Sequence, residues 1–293
     1  MTGTTVGFDS TDERLARIAW SRLADPGDPQ AQALVAGQGA APALADVLAG
    51  GGTRRWQSHL TSLDPVADLR AVQRLGGRLL IPGDDEWPAP LHTLGIRAPF
   101  CLWVRGSVNV ARATVRAAAV VGARAATSYG LSVAQDLGTG LAEAGVAVIA
   151  GAAYGIDGAA HRAVLAADGS TIAVLAGGVD RSYPRGHLHL LDRIHSVGAV
   201  VSENPPGSAP TRSRFIARRR LIAALAPVTV VVEAAHRSSA IATAVEAARL
   251  SRPVAVVPGP ITSAQSHGCH QLLRQGAICV TSATDVSDLI KRP

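Results

Sequence analysis

Short, almost purely apolar runs alternate with longer stretches in which apolar residues recur every three or four positions. From about residue 117 onward the runs are Ala117–Val121, Val146–Ala150, Thr171–Ala176, Ala199–Ser202, Val228–Val232, Val254–Val257 and Ala277–Val280. Each has strand length and lacks the in-out alternation of a half-wet strand, so each is expected to be buried on both faces. Helix-length segments separate them. Strands of this kind alternating with helices predict an α/β fold, a doubly wound and mostly parallel sheet covered on both sides.

Upstream the period is helical over Asp12–Leu23, Ala40–Leu48 and Asp64–Leu75, with breaks at Asp25–Pro29 and at the Gly50–Gly52 run. This predicts a small helical domain over residues 1–70. Arg78–Ile81 and Cys101–Val104 read as short strands on either side of the turn-rich PGDDEWPAPL, and open a second domain over residues 75–293.

Composition narrows the class. A chain of 293 residues with 47% hydrophobic and 17% charged residues can bury one large core beside a small companion. The net charge of +6 and an isoelectric point near 10.0 favour a polyanionic partner. Arginine supplies nearly all of the basic charge, the single lysine being Lys291. Cys101, Cys269 and Cys279 are odd in number and lack C-x-x-C spacing, which reads as free thiols in a reducing compartment. The start, MTGTTVGFDSTDER, carries acids where a signal peptide has basic and apolar residues, and no apolar run reaches membrane-spanning length. These features predict a cytoplasmic location and no membrane association.

The densest chemistry lies between Ser202 and Arg220. In a helix predicted over Phe215–Ala226, Phe215, Leu221, Ile222 and Leu225 share one apolar stripe, and Arg218 falls inside it. An inward guanidinium near a helix start requires a carboxylate or an anionic ligand, with Glu203 and Glu233 as candidate carboxylates. The strand that follows puts this helix start at the C-terminal edge of the sheet, where ligands of such folds bind and where phosphate is favoured.

The other loops at that edge add to it. GARAATSYG offers Gly122 and Arg124, with Thr127 or Ser128 as helix cap. GAAYGIDGAAH offers Gly151 and Gly155 for close approach or positive φ, Asp157 at the helix start, and His161 one turn on. GGVDRSYPRGH contributes Tyr183 and Arg185, and EAAHRSSAIAT contributes Arg237. Arg124, Arg185, Arg218 and Arg237 are thus expected to meet on one rim and to contact phosphates more than bases.

With 3% aromatic residues, extensive base stacking is not expected; Tyr129, Tyr154 and Tyr183 are the loop aromatics. Asp157 and His161 read as a cap and a packed imidazole, and Glu203 and Glu233 as ion-pair partners of Arg218 or Arg237. The H-G-C-H cluster at His267, Cys269 and His270 lacks a fourth ligand, so no metal is expected. No cofactor is expected either: no G-x-G-x-x-G follows a strand, and His236–Ala240 contains no glycine.

In this order VVGAR, GAAYGIDGAAH, AVLAGGVDRSYPRGH, VSENPPG, RSRFIARRRLIAALA, VVVEAAHRSSAIATA, VAVVPGPI and SHGCHQLLRQGA resemble the DprA/Smf family (DNA-processing protein A). PGDDEWPAPL and LWVRGS extend the resemblance upstream to about residue 75. It implies an extended Rossmann-like domain that binds single-stranded DNA without catalysis and forms a homodimer through that domain. The implied role is to protect incoming DNA during natural transformation and to load RecA recombinase for homologous recombination.

Residue by residue, Arg124 and Arg185 match the family's basic VGxR and YP[KR] positions. Ala217-Arg218-Arg219-Arg220 matches RRNR, losing its first arginine and gaining Arg219. Tyr154 stands where an arginine is usual, and Arg237-Ser238-Ser239-Ala240 replaces RSGS. The expected DNA-binding set is therefore Arg124, Arg185, Arg218, Arg219, Arg220 and Arg237 with Gly122, Gly151, Gly155 and Ser128. Asp157, His161, Glu203, Glu233 and Tyr183 are expected to support it.

The N-terminal helices are similar to a sterile-alpha-motif-like domain, with DPGDPQ in place of a helix-hairpin-helix glycine pair. The chain is expected to lack the C-terminal winged-helix-like module of many relatives. The rival reading is a nucleotide-binding Rossmann enzyme related to nucleoside-monophosphate phosphoribohydrolases, whose P-G-G-x-G-T turn is missing here.

Overall fold

The computed structural model describes residues 7–291. Among these, one nine-stranded sheet holds β1 (Gly77–Leu80), β2 (Leu102–Arg105), β3 (Ala117–Val121), β4 (Ala147–Ala150), β5 (Thr171–Val174), β6 (Ala199–Ser202), β7 (Val228–Val231), β8 (Val254–Val256) and β9 (Ile278–Cys279). The spatial order is β1-β2-β6-β5-β4-β3-β7-β8-β9. The strands from β6 across to β9 pair in parallel, and β1 and β2 add an antiparallel margin beside β6. The mixed α/β architecture with its mostly parallel sheet is the one expected.

From β3 the chain builds outward through β4, β5 and β6, then returns to lay β7, β8 and β9 on the other side. The order in which strands are added therefore reverses between β3 and β7, and a crevice opens beyond their C-terminal ends. Successive β3 residues serve opposite layers, as the pleat requires. Ala118 and Val120 pack with Leu137 and Leu141 of the helix Ser128–Glu143, whereas Ala117, Ala119 and Val121 pack with Leu221 and Leu225 of the helix Arg212–Leu225.

Thr211 caps this second helix by accepting from Arg214 N, so it starts at Arg212, three residues before the predicted Phe215. Upstream, the expected break at Asp25–Pro29 is also a helix start. Asp28 accepts from Gln30 N and Ala31 N, and Pro29 opens the helix Pro29–Gln38. PGDDEWPAPL leads into tight turns over Ala89–Arg97, kinked at Gly95 (φ 54°). The N-terminal helices share core with the sheet: Ile18 and Val72 are buried in the same cluster as Trp103 and Val200. No helix among the described residues is long and apolar enough to cross a membrane.

Candidate functional site

Beyond the ends of β3 and β7 lies a cleft of about 510 Å3. Gly122 to Ala125 form its floor, the loop from Ala235 and the start of the helix Ser239–Arg249 form one side, and Arg218, Arg219 and Ile222 close over it. Ser238 caps that helix through Ala240 N, leaving its N-terminal dipole directed at the cleft.

Arg218 is 9% exposed, as its place in the apolar stripe predicts. Its expected carboxylate partner is absent: neither Glu203 nor Glu233 pairs with it. One terminal nitrogen instead donates to the carbonyls of Gly151 (2.7 Å) and Val174 (2.9 Å), which protrude where β4 and β5 end. Two carbonyls thus take the place of a paired carboxylate at this nitrogen. Gly151 lets the guanidinium approach closely: a Cβ there would lie 2.5 Å from it and would push the side chain aside.

The Phe215 ring lies under both Arg218 (5.0 Å) and Arg124 (5.5 Å), with Tyr183 tilted against it at 5.5 Å. Burial lowers the Arg218 pKa to about 10, opposed by the nearby Asp157 carboxylate, so it stays charged at neutral pH. Arg218 Nε is buried without a hydrogen-bond partner. Arg219 is half-buried and donates from Nε to Ser239 Oγ (3.1 Å), while Arg124 and Arg237 are exposed on the lining. Burial, and then the charge of Arg124, lowers the Arg219 pKa.

Asp157 is buried and accepts from Gly151 N (3.0 Å) and Ala153 N (3.3 Å), which fixes the turn after β4. Burial raises its pKa, against the charge of Arg218. Gly155 (φ 73°) brings this turn under the first loop, where a Cβ would lie 2.2 Å from the Ala123 carbonyl.

A family model described as DNA recombination-mediator protein A matches residues 78–291. The chain belongs to this family. A Mycobacterium tuberculosis relative of the DprA type is 49% identical over 289 residues, covering 93% of this chain and 74% of the relative. The DNA processing protein DprA of Streptococcus pneumoniae is 38% identical over 203 residues, 69% of this chain and 71% of that one. Its X-ray structure superposes with a TM-score of 0.80 at 29% identity, covering 96% of this chain and 98% of that one. DNA processing protein A from Helicobacter pylori, solved for its single-stranded DNA binding mode, gives 0.65 at 25% identity over 72% of this chain and 94% of that one.

In this DprA family member the rim expected from sequence is only partly assembled. Arg124, Arg218, Arg219 and Arg237 line the cleft together with Gly122. Arg185 does not: it follows Pro184 into the turn Arg185–His187, on the neighbouring β5 loop. Between them lies a notch of about 50 Å3 lined by Arg124, Tyr154, Tyr183 and Phe215. Ser128 is exposed at the start of its helix, outside the lining, and Thr127 is the cap.

Arg220 is a further correction. Expected beside DNA, it is 3% exposed and grips Glu203 with two hydrogen bonds (2.6 and 2.5 Å), while its Nε donates to the Arg97 carbonyl. The pair joins the site helix to the end of β6 and to the turns before β2. Glu233 meets neither Arg218 nor Arg237 and accepts from Thr127 instead.

His161 is a packed imidazole bonded to Thr171 Oγ1, as expected. Asp157 braces the turn, whereas Gly155 occupies the cap position. His187 Nδ1 donates to the Ala152 carbonyl and holds the same turn from the β5 loop. Sequence reading missed the roles of Phe215, which lines the notch, and of Gln265, which lines the cleft. Phe215 sits one turn before Arg218 on the same stripe, a usable signal; nothing marks Gln265, whose side chain donates to the Ala125 carbonyl.

Proposed function

We propose that this protein binds single-stranded DNA in the cleft between β3 and β7 and delivers the strand to RecA recombinase. The observation that carries this reading is the convergence of Arg124, Arg218, Arg219 and Arg237 on one cleft. Asp157 is the sole acid in its lining, and it faces backbone amides. Guanidinium groups and a helix N-terminus hold phosphates and leave bases unread, so sequence preference is weak. A cleft of about 510 Å3 is on the scale of a nucleotide pocket, and a duplex does not fit inside it.

The H. pylori relative's single-stranded DNA binding supports the assignment, and the family's description as a recombination mediator supports the step to RecA. On this reading the protein acts in the cytoplasm, as protector of incoming DNA in natural transformation. It catalyses no reaction on the strand. It also works as a homodimer through the sheet domain. An apolar groove beside β9, with Val245 and Ile278 exposed, is the face that would be covered.

Titrating a labelled oligothymidylate at several salt concentrations tests the central claim. Three or four neutralised phosphates give a log–log slope on the order of −2 to −3 for a single strand. A flat plot would falsify electrostatic capture, and release of base or phosphate from nucleoside monophosphates would install the rival enzyme reading.

A further inference from the structure

Glu233 stands two residues after the end of β7, is 2% exposed and lines no part of the cleft. Among the described residues no arginine, lysine or histidine forms a salt bridge with it. A buried carboxylate without a cation depends on strong hydrogen bonds. Thr127 supplies two of them, from its backbone N–H to Oε2 (2.9 Å) and from its hydroxyl to Oε1 (2.5 Å). Thr127 is the cap of the sixteen-residue helix Ser128–Glu143, so the carboxylate sits on the positive end of that helix. Gly130, in the first turn, makes room for it: a Cβ there would lie 2.3 Å from the carboxylate.

In a sheet of this topology the helix that follows the first central strand presents its N-terminus to a ligand phosphate. That seat is filled here from within. It lies just behind the cleft wall, because Ala125 and Ala235 line the cleft two residues from Thr127 and Glu233 respectively. The arginines and the helix Ser239–Arg249 leave a second, open anion site across the same cleft.

We propose that Glu233 is a specificity determinant: it occupies the fold's own phosphate seat and so bars free nucleotides from the cleft while a strand is admitted. A terminal phosphate carries close to two negative charges and needs a compact cluster of donors. The phosphodiesters of a strand carry one charge each and are held by the spaced guanidinium groups beside the helix Ser239–Arg249, without the seat at Thr127. This inference rests on the strand-binding reading, which defines what the cleft admits.

The test is displacement of a labelled oligothymidylate by thymidine monophosphate and by inorganic phosphate, against sodium chloride of equal ionic strength. It is run on the parent, Glu233→Gln and Glu233→Ala, with melting curves for each. In the parent, millimolar monophosphate displaces no more than the salt does. Glu233→Gln keeps the shape and removes the charge, and lowers the concentration of monophosphate needed for displacement about tenfold. The alanine variant, where folded, goes further.

Two results overturn the proposal. One is a folded Glu233→Gln no more sensitive to monophosphate than the parent. The other is a parent already displaced by millimolar monophosphate, which needs no variant to detect. A parent that binds no oligonucleotide overturns the strand-binding reading instead.

Discussion

Arg218 and Arg220 are two positions apart and do different work. Arg220 and Glu203 form a buried pair, so Arg220→Ala leaves a carboxylate in the core and destabilises by about 3–5 kcal/mol. Among the described residues Arg218 makes no salt bridge, and the nearby Asp157 keeps its two backbone N–H donors without it. Arg218→Ala frees two carbonyls, costs a smaller amount of about 1–3 kcal/mol, and strips the cleft of its innermost cation. Arg124→Ala and Arg237→Ala, both exposed, leave stability within about 0.5 kcal/mol. Each of these two makes the salt slope of DNA binding shallower by about 0.7. Urea unfolding and salt titration of the four variants separate these roles. The division fails if Arg220→Ala is as stable as the parent, or if Arg218→Ala binds oligonucleotide normally. Helical periodicity was enough to turn Arg218 inward. It could not name the partners, because backbone carbonyls of Gly151 and Val174 leave no mark on the sequence. The run of three arginines hid Arg220's task for a related reason, since Glu203 comes near only when β6 and the helix are packed.

At the scale of elements, the parallel strands were readable from unbroken apolar runs such as Ala117–Val121, which stands in the structure with the same bounds. Helix starts were harder, because Asp28 and Thr211 read equally well as turn residues and as caps. The helix Ile156–Ala166 carries a second consequence of burial. His161 Nδ1 donates to Thr171 Oγ1, whose hydroxyl donates onward to the Val148 carbonyl, and His161 Nε2 has no partner. Burial, reinforced by the charges of His187, Arg162 and Arg218, lowers the His161 pKa to about 3. Unfolded, the ring titrates near 6.5, so between these values the unfolded chain binds the extra proton and stability falls as pH falls. The slope approaches about 1.4 kcal/mol per pH unit below 6.5. Asp157 acts in the opposite sense, because its raised pKa lets the folded state keep a proton that the unfolded chain has lost above 3.8. Comparing the parent with His161→Leu removes that term from the difference. The parent should lose stability relative to the variant steadily from pH 6 to pH 4 in denaturant titrations; a constant difference would show that the imidazole is not buried neutral.

Across the whole molecule, the reversal of strand order between β3 and β7 determines where a ligand can enter, and distant contacts hold that entrance. Arg22 in the helix Glu13–Leu23 pairs with Asp68 and donates to the Pro206 carbonyl, tying the N-terminal helices to the loop that leads into the site helix. Nothing in the sequence linked Arg22 to Pro206, since helical pattern and loop composition are local and this contact spans the fold. The outer edge of the sheet shows the opposite tendency. β9 has two residues, both exposed, and no strand beyond it among the described residues, while Ile278 borders the apolar groove lined by Ala244, Val245, Ala248 and Leu272. An apolar edge of this kind is an association surface unless something covers it. If a second copy covers it, each particle carries two clefts, and an oligonucleotide long enough to reach both gains affinity through effective concentration, without any new contact. Ile278→Glu places a charge on the face, away from the arginines of the cleft. The parent is expected to sediment as a dimer and to bind long oligonucleotides more tightly than short ones, by a factor on the order of 100. The variant should sediment as a monomer and lose the dependence on length. A parent that is monomeric at micromolar concentration, or a monomeric variant that still favours long strands, would remove the dimer from the account and leave the cleft to act alone.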